Sequence, residues 1–256
     1  MTRAACSVVG LLPATVKRKK AVSAISVLLL LTGCSDTSQE VNVDARVSNI
    51  ILMIGDGMGA EHRKAARWSS AGKSGMLSMD DMPFSGFIRT GSANDPVTDS
   101  AAAATAMAAG VKTNNRVIGL DENLNTVNTI LELVKGRGKL VGLVTTTHIT
   151  HATPAAFAAH VEDREQMQDI AAGMLQAGVD VLLGGGEDEF LPTTENGCYP
   201  NAGKRTDGSN LIRGAVAAGY HYVCDTASFQ GVDPVAVSRL LGLFADEGMP
   251  RDYAPT

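Results

Sequence analysis

Hydrophobic positions along the chain fall into short blocks whose periods alternate between strand and helix. Asn49–Ile54 (NIILMI) is a continuous apolar run ended by Gly55, the pattern of a strand buried on both faces of a parallel sheet. After the turn GDGMG, Ala60 to Ser70 reads as a helix. Ala101 to Ala109 is almost entirely alanine, the best helix former, and Gly110 stands where a left-handed C-terminal cap belongs, which puts Asp99 and Ser100 at a helix N-terminus. Val127 to Val134 is a further helical stretch closed by the turn Gly136-Arg137-Gly138. Leu140 to Thr147 (LVGLVTTT) predicts a second buried strand, followed by a loop through Pro154 and a helix from about Arg164 to Gln176. Val179 to Leu183 predicts a third strand stopped by three glycines. Ser209 to Ala218 and Tyr220 to Cys224 repeat the helix-to-strand order. This alternation predicts an α/β fold with a mainly parallel central sheet flanked by helices, its site at the C-terminal ends of the strands. No internal repeat or second domain is evident.

The first residues follow a different pattern. Lys17, Arg18, Lys19 and Lys20 precede the apolar run AVSAISVLLLLTG, which ends at Cys34. That run is too short to span a membrane and has the length of a signal-peptide core. Leu31, Thr32, Gly33 and Cys34 resemble the bacterial lipobox, whose cysteine becomes the lipidated first residue. Residues 1–34 therefore read as a lipoprotein signal, 35–47 as a polar tether and 48–256 as the globular part. The expected location is exported, in the periplasm or cell envelope, held to the membrane through lipid on Cys34.

Charge narrows the partners. Lys and Arg number 22 against 27 Asp and Glu, and five of the basic residues (Arg3 and Lys17 to Lys20) precede Cys34, which leaves 17 against 27 beyond it. An acidic domain without a basic cluster argues against nucleic acid as a partner. It leaves room for a small phosphate ester, which needs only one or two local cations or metals. Of the four cysteines, Cys198 and Cys224 lie outside the targeting region. They flank a polar loop, and a loop-closing disulfide and two separate buried thiols are both compatible with that placement.

Three polar clusters follow the predicted elements. Asp56, between Gly55 and Gly57, has the setting of a ligand to hard cations, or of a turn residue bonding its own backbone. Thr98, Asp99 and Ser100 precede the alanine helix, where free N–H groups and the helix dipole favour a phosphate on the serine oxygen; an ordinary helix cap is the plainer alternative. His151, Thr153 and Arg164 lie in the loop after the second strand and at the start of the next helix. Arg164 can offer paired donors to two phosphate oxygens and Thr153 a hydroxyl to Mg²⁺. His148, His151 and His160 do not by themselves form a zinc signature.

The strings NIILMIGDGMG at 49–59, VTDSAAAATAMAAGVKTNNRVIGLD at 97–121, GLVTTTHITHATPAAFAAHV at 142–161 and DVLLGGG at 180–186 together resemble the alkaline phosphatase family, in order and spacing. The resemblance implies hydrolysis of small phosphomonoesters through a phosphoserine, with two Zn²⁺ and one Mg²⁺ as cofactors and a homodimer for the full-length form. It implies that Asp56 bridges a zinc and the magnesium site and that Ser100 is the nucleophile. Asp99 would orient the arginine, Thr153 would be a magnesium ligand and Arg164 would clamp the phosphate. His151 lies beside the magnesium site, where family members carry Asp or His.

The family's later ligands (a Glu, an Asp with a His four residues on, an Asp-His pair and a further His) have no counterpart among the five histidines His62, His148, His151, His160 and His221. The sequence therefore reads as the N-terminal portion of such a domain, with little phosphatase activity expected of the 256 residues alone. Two other readings are a non-catalytic, phosphate-binding lipoprotein and a related metal-dependent phosphodiesterase. A sulfatase is excluded because Ser100 is followed by alanines rather than a Ser-x-Pro-x-Arg run. A serine hydrolase is disfavoured by the lack of GxSxG around Ser100.

Overall fold

The computed structural model describes residues 48–250, so the signal, lipobox and tether expected over 1–47 lie outside the described residues. Two units emerge, one ending at Leu52 and one starting at Met53. In the first, Ser48–Leu52 form no strand, and Ile50 and Ile51 are 85% and 87% exposed. Met53 and Ile54, which open the second unit, form no strand either. The buried strand expected over Asn49–Ile54 is thus corrected: a run of this kind is a strand only when neighbours pair with it, and none of the described strands does.

The second unit is built on a parallel sheet in the order β1-β2-β4-β3, formed by β1 (Gly142–His148), β2 (Val181–Gly185), β3 (His221–Val223) and β4 (Leu240–Leu243). Parallel neighbours require crossovers, and helices supply them. Helices α4 (Ala152–Ala155) and α5 (Met167–Gln176) lie between β1 and β2, α6 (Leu211–Ala217) precedes β3, and α7 (Thr226–Gln230) leads to β4. Upstream stand α1 (Ala60–Ala71), α2 (Ser100–Ala109) and α3 (Ile130–Lys135). The α/β class with a mainly parallel sheet is as expected, and element ends move by a few residues.

Burial inverts one expectation. The Leu140–Thr147 run was expected to be buried, yet β1 is an edge strand of the described sheet, with alternate residues only half-buried and Val144 71% exposed. The strand buried along its whole length is β4, Leu240–Leu243, which the sequence pattern did not single out. It lies between β2 and β3, so both its edges are paired and both its faces covered.

The alanines of α2 explain how the site is carried. Ala101, Ala104 and Ala108 are buried in one core with Ile118, Ile149, Ala155, Ile170, Met174, Leu182 and Leu241. Side chains this small let α2 approach α4 closely, so the segment holding Ser100 is fixed by packing along its length. Gly110 closes α2 in the left-handed conformation (φ 73°, ψ 12°), and its N–H donates to Ala106 C=O.

Two polar ties hold the loops around this core. The Glu132 carboxylate accepts from Thr129 N–H (2.8 Å) and faces His160 Nε2 at 2.9 Å, while His160 Nδ1 faces Gly119 C=O at 2.7 Å. Burial alone raises the Glu132 carboxyl, but the bonds from His160 and Thr129 outweigh it and hold the group below its ordinary value of 4.5. The second tie is the disulfide Cys198–Cys224, which settles the alternative left by the sequence. Beside it the fully buried Glu187 carboxylate accepts from Cys198 N–H (3.0 Å), Tyr199 N–H (3.1 Å) and the Tyr222 hydroxyl.

Because the folded-state carboxyl of Glu132 lies below the unfolded value, its contribution to stability is complete above about pH 4.5 and is lost as pH falls through the folded value. Glu132→Gln is expected to lower stability by about 1 kcal/mol at pH 7, an estimate reduced for partial exposure. The gap to the parent, followed by urea unfolding, should close as the pH is lowered below 4. Replacing both Cys198 and Cys224 by Ser is expected to lower unfolding free energy by about 3 kcal/mol under oxidising conditions, with no further loss on adding reductant.

Candidate active site

Helix α2 begins at Ser100 with Asp99 as its N-cap. Asp99 has extended backbone angles (φ −93°, ψ 177°), and its Oδ1 accepts the N–H of Ala102 at 3.0 Å, one of the donors a helix start leaves unpaired. The other oxygen, Oδ2, accepts Arg116 N–H at 3.1 Å and Arg164 Nη1 at 3.2 Å. A single carboxylate thus caps the helix and joins two distant segments to it. Asn115 Oδ1 in turn accepts the Asp99 N–H at 3.0 Å.

Ser100 Oγ donates to Asp56 Oδ1 at 3.0 Å, and Thr153 Oγ1 donates to Asp56 Oδ2 at 2.6 Å. The turn after Gly55, where Gly57 takes φ 65°, presents Asp56. The loop leaving the C-terminal end of β1 presents His151, the N-cap of α4, and the start of α4 presents Thr153, as expected of a parallel sheet. Partial burial raises the Asp56 carboxyl, but the bonds from Thr153 and Ser100 and the Arg164 charge hold it below the ordinary carboxylate value. It is therefore an acceptor for both hydroxyls at neutral pH.

Arg164 Nη2 lies 3.1 Å from His151 Nε2. A guanidinium only donates, so Nε2 is the acceptor and the imidazole hydrogen sits on Nδ1. Burial and then the Arg164 charge lower the His151 pKa, consistent with a neutral ring. All six sequence-selected residues (Asp56, Asp99, Ser100, His151, Thr153 and Arg164) are thus joined by hydrogen bonds, directly or through the Asp99–Ser100 peptide.

Sequence reading missed three residues that hold this group together: Asn115, Arg116 and Asp163. The Asn114-Asn115 pair is a turn signal, but nothing local marks Arg116 or Asp163, whose pairing spans 47 residues.

The donor set bears on metals. Asp56, Thr153 and Ser100 offer converging oxygens, the chemistry of a Mg²⁺ site in part. Among the described residues no group of three His, Cys, Asp or Glu is arranged to hold a metal ion. The set accordingly fits a share of a magnesium site and does not by itself make a zinc site.

A serine at the start of a helix, a carboxylate on its hydroxyl and an arginine tied to the adjacent residue thus stand together beside a parallel α/β sheet. The chain belongs to the alkaline phosphatase family, whose profile, described as "Alkaline phosphatase", matches residues 47–255. It is 37% identical over 254 residues to alkaline phosphatase 3 of Bacillus subtilis (strain 168), covering 94% of this chain and 51% of that protein. The alkaline phosphatase of the Antarctic bacterium TAB5 has a similar structure, with TM-score 0.65 and 31% identity, covering 79% of this chain and 54% of that one. A TAB5 variant with a histidine exchanged for glutamate, solved with Mg bound in its M3 site, also has TM-score 0.65, at 30% identity over 79% and 54% of the two chains. The chain spans about half the length of the relatives it matches.

Asp99→Ala is expected to lower unfolding free energy by about 2 kcal/mol, since it removes the cap and leaves two further donors without their acceptor. Asp99→Asn, which retains a cap acceptor, should cost about half as much. Chemical denaturation of the three proteins measures both.

Proposed function

We propose that this chain carries the phosphoryl-accepting half of a phosphomonoesterase site, with Ser100 as the nucleophile. The observation that carries the reading is the Ser100 hydroxyl at the N-terminus of α2, donating to Asp56 while Arg164 is tied to the neighbouring Asp99. The N–H groups of the first helical turn and the dipole behind them favour the dianion that builds up on the serine oxygen.

In the proposed reaction Ser100 Oγ attacks phosphorus in line as the bond to the leaving-group oxygen breaks. Asp56 Oδ1 accepts the Ser100 hydroxyl hydrogen bond and orients the oxygen lone pair; the hydroxyl proton passes to solvent as the P–Oγ bond forms, and the leaving-group oxygen takes a proton from solvent. Arg164 pairs with two equatorial phosphate oxygens, stabilising charge without covalent chemistry. Water then attacks the phosphoserine and gives up a proton as the P–Oγ bond breaks, Ser100 Oγ regains a proton and inorganic phosphate leaves. The contacts fall on the phosphoryl group, so a broad range of phosphomonoesters is expected.

Metals follow from the family and from the magnesium in the TAB5 variant. Asp56 and Thr153 would hold a Mg²⁺, with the neutral His151 beside it, and bound divalent ions would supply positive charge against the phosphate and lower the pKa of a coordinated hydroxyl. The two zinc ions the family implies need ligands beyond the described residues, to which Asp56 and Ser100 are this chain's contribution. Turnover by the 256-residue chain alone is accordingly proposed to be low. The Cys198–Cys224 disulfide suits an oxidising compartment and supports export, whereas lipid on Cys34 rests on the sequence alone. Among the described residues no helix is long and apolar enough to cross a membrane.

The test is acid-quench labelling with a phosphomonoester labelled at phosphorus, in the presence of zinc and magnesium. Label on the Ser100 peptide is expected, absent in Ser100→Ala and reduced at least about tenfold in Arg164→Ala. Turnover that proceeds unchanged in Ser100→Ala would overturn the assignment, and fast zinc-dependent turnover by the parent would overturn the low-activity proposal. Inorganic phosphate bound tightly with no label on Ser100 would favour a binding protein.

A further inference from the structure

Arg116 has a backbone conformation that calls for explanation. Its φ is +77°, one of two positive values among the described non-glycine residues. Residues with a Cβ seldom adopt that region, and a long charged side chain gains nothing there by itself. What the conformation achieves is a two-sided backbone contact. The Arg116 N–H donates to Asp99 Oδ2 at 3.1 Å and its C=O accepts the N–H of Arg164 at 2.8 Å. The same Asp99 oxygen accepts Arg164 Nη1, so residues 99, 116 and 164 form a closed ring of hydrogen bonds.

The side chain completes the arrangement. Arg116 Nε and Nη2 bind Asp163 Oδ2 and Oδ1 at 2.8 and 2.9 Å, a two-point fork, and Nη2 lies 3.7 Å from Glu165. Asp163 and Glu165 flank Arg164 in sequence. Asp163 also accepts the Glu165 N–H at 2.9 Å, which fixes the backbone on the far side of Arg164. Arg116 therefore grips both neighbours of Arg164 and the backbone of Arg164 itself. Its own charge is matched by two carboxylates, which makes it a poor second phosphate ligand.

We propose that Arg116 is a positioning residue for Arg164: its left-handed backbone and its fork on Asp163 fix the point from which the Arg164 guanidinium reaches the phosphate. The inference rests on Arg164 binding phosphate as proposed above. Arg116 acts through Arg164, so its loss matters only while Arg164 is present.

The test is a double-mutant cycle on the full 256-residue chain, with inorganic phosphate as the probe and calorimetry as the readout. Arg116→Gly keeps a residue suited to positive φ and removes only the fork. It is expected to weaken phosphate binding about three- to tenfold, and Asp163→Asn to do the same, with no additional loss when Arg116→Gly is placed in an Arg164→Ala background. Arg116→Asp combined with Asp163→Arg re-forms the pair with the charges exchanged, aspartate being tolerant of the left-handed region, and should recover part of the affinity. In parallel, amide hydrogen exchange at Arg164 should accelerate about tenfold in Arg116→Gly. Unchanged affinity in Arg116→Gly, or an equal loss with Arg164 already absent, overturns the proposal. If the parent binds no phosphate, the phosphatase reading fails, and the Arg164 amide alone decides the positioning role: faster exchange supports it and unchanged exchange overturns it.

Discussion

The site depends on one carboxylate. Asp99 accepts the N–H of Ala102 in its own helix, and the N–H of Arg116 and the Nη1 of Arg164 from two segments distant in the chain. Each would be costly to leave unpaired in a half-buried setting, and a charged acceptor strengthens all three bonds. Through this group the start of α2 and the arginine of the following segment share one frame. The proposed nucleophile and the proposed phosphate clamp are thereby set relative to each other before any ligand arrives, which keeps the ordering cost of binding small.

The frame holds because α2 is itself immobilised. Its buried alanines bring it against α4, and α4 follows directly on the loop leaving β1, so His151 and Thr153, at the start of α4, and the helix bearing Ser100 rest on the same core. Asp56 joins them by accepting both hydroxyls. Packing supplies the rigidity and hydrogen bonds supply the direction. Membership of the alkaline phosphatase family is consistent with this division, since phosphoryl transfer asks chiefly for positioning and electrostatic stabilisation.

The contrast between β1 and β4 shows what a hydrophobic run can and cannot report. LVGLVTTT is as apolar as a central strand, yet β1 is at the edge of the described sheet and shows Val144 to solvent. Leu240–Leu243 is short and carries a glycine, yet it is buried throughout because β2 and β3 pair with its two edges. Strand order is set by which chains pair, and that information is spread over the whole sequence rather than held in any window. The same reason separates Asn49–Ile54 from the strand its composition suggests.

Local physics fixed the alanine helix, its left-handed Gly110 cap, the polar pair Asp99-Ser100 at its start and the alternation that identifies an α/β chain, because propensity, capping and periodicity act over a few residues. The motif strings identified the family and the six candidate residues. Only the tertiary structure decided that Cys198 pairs with Cys224, that Asp56 takes both hydroxyls, and that Arg116 and Asp163 brace Arg164. Those contacts join residues 26 to 97 positions apart, and a bond across such a separation exists only once the core has brought its ends together.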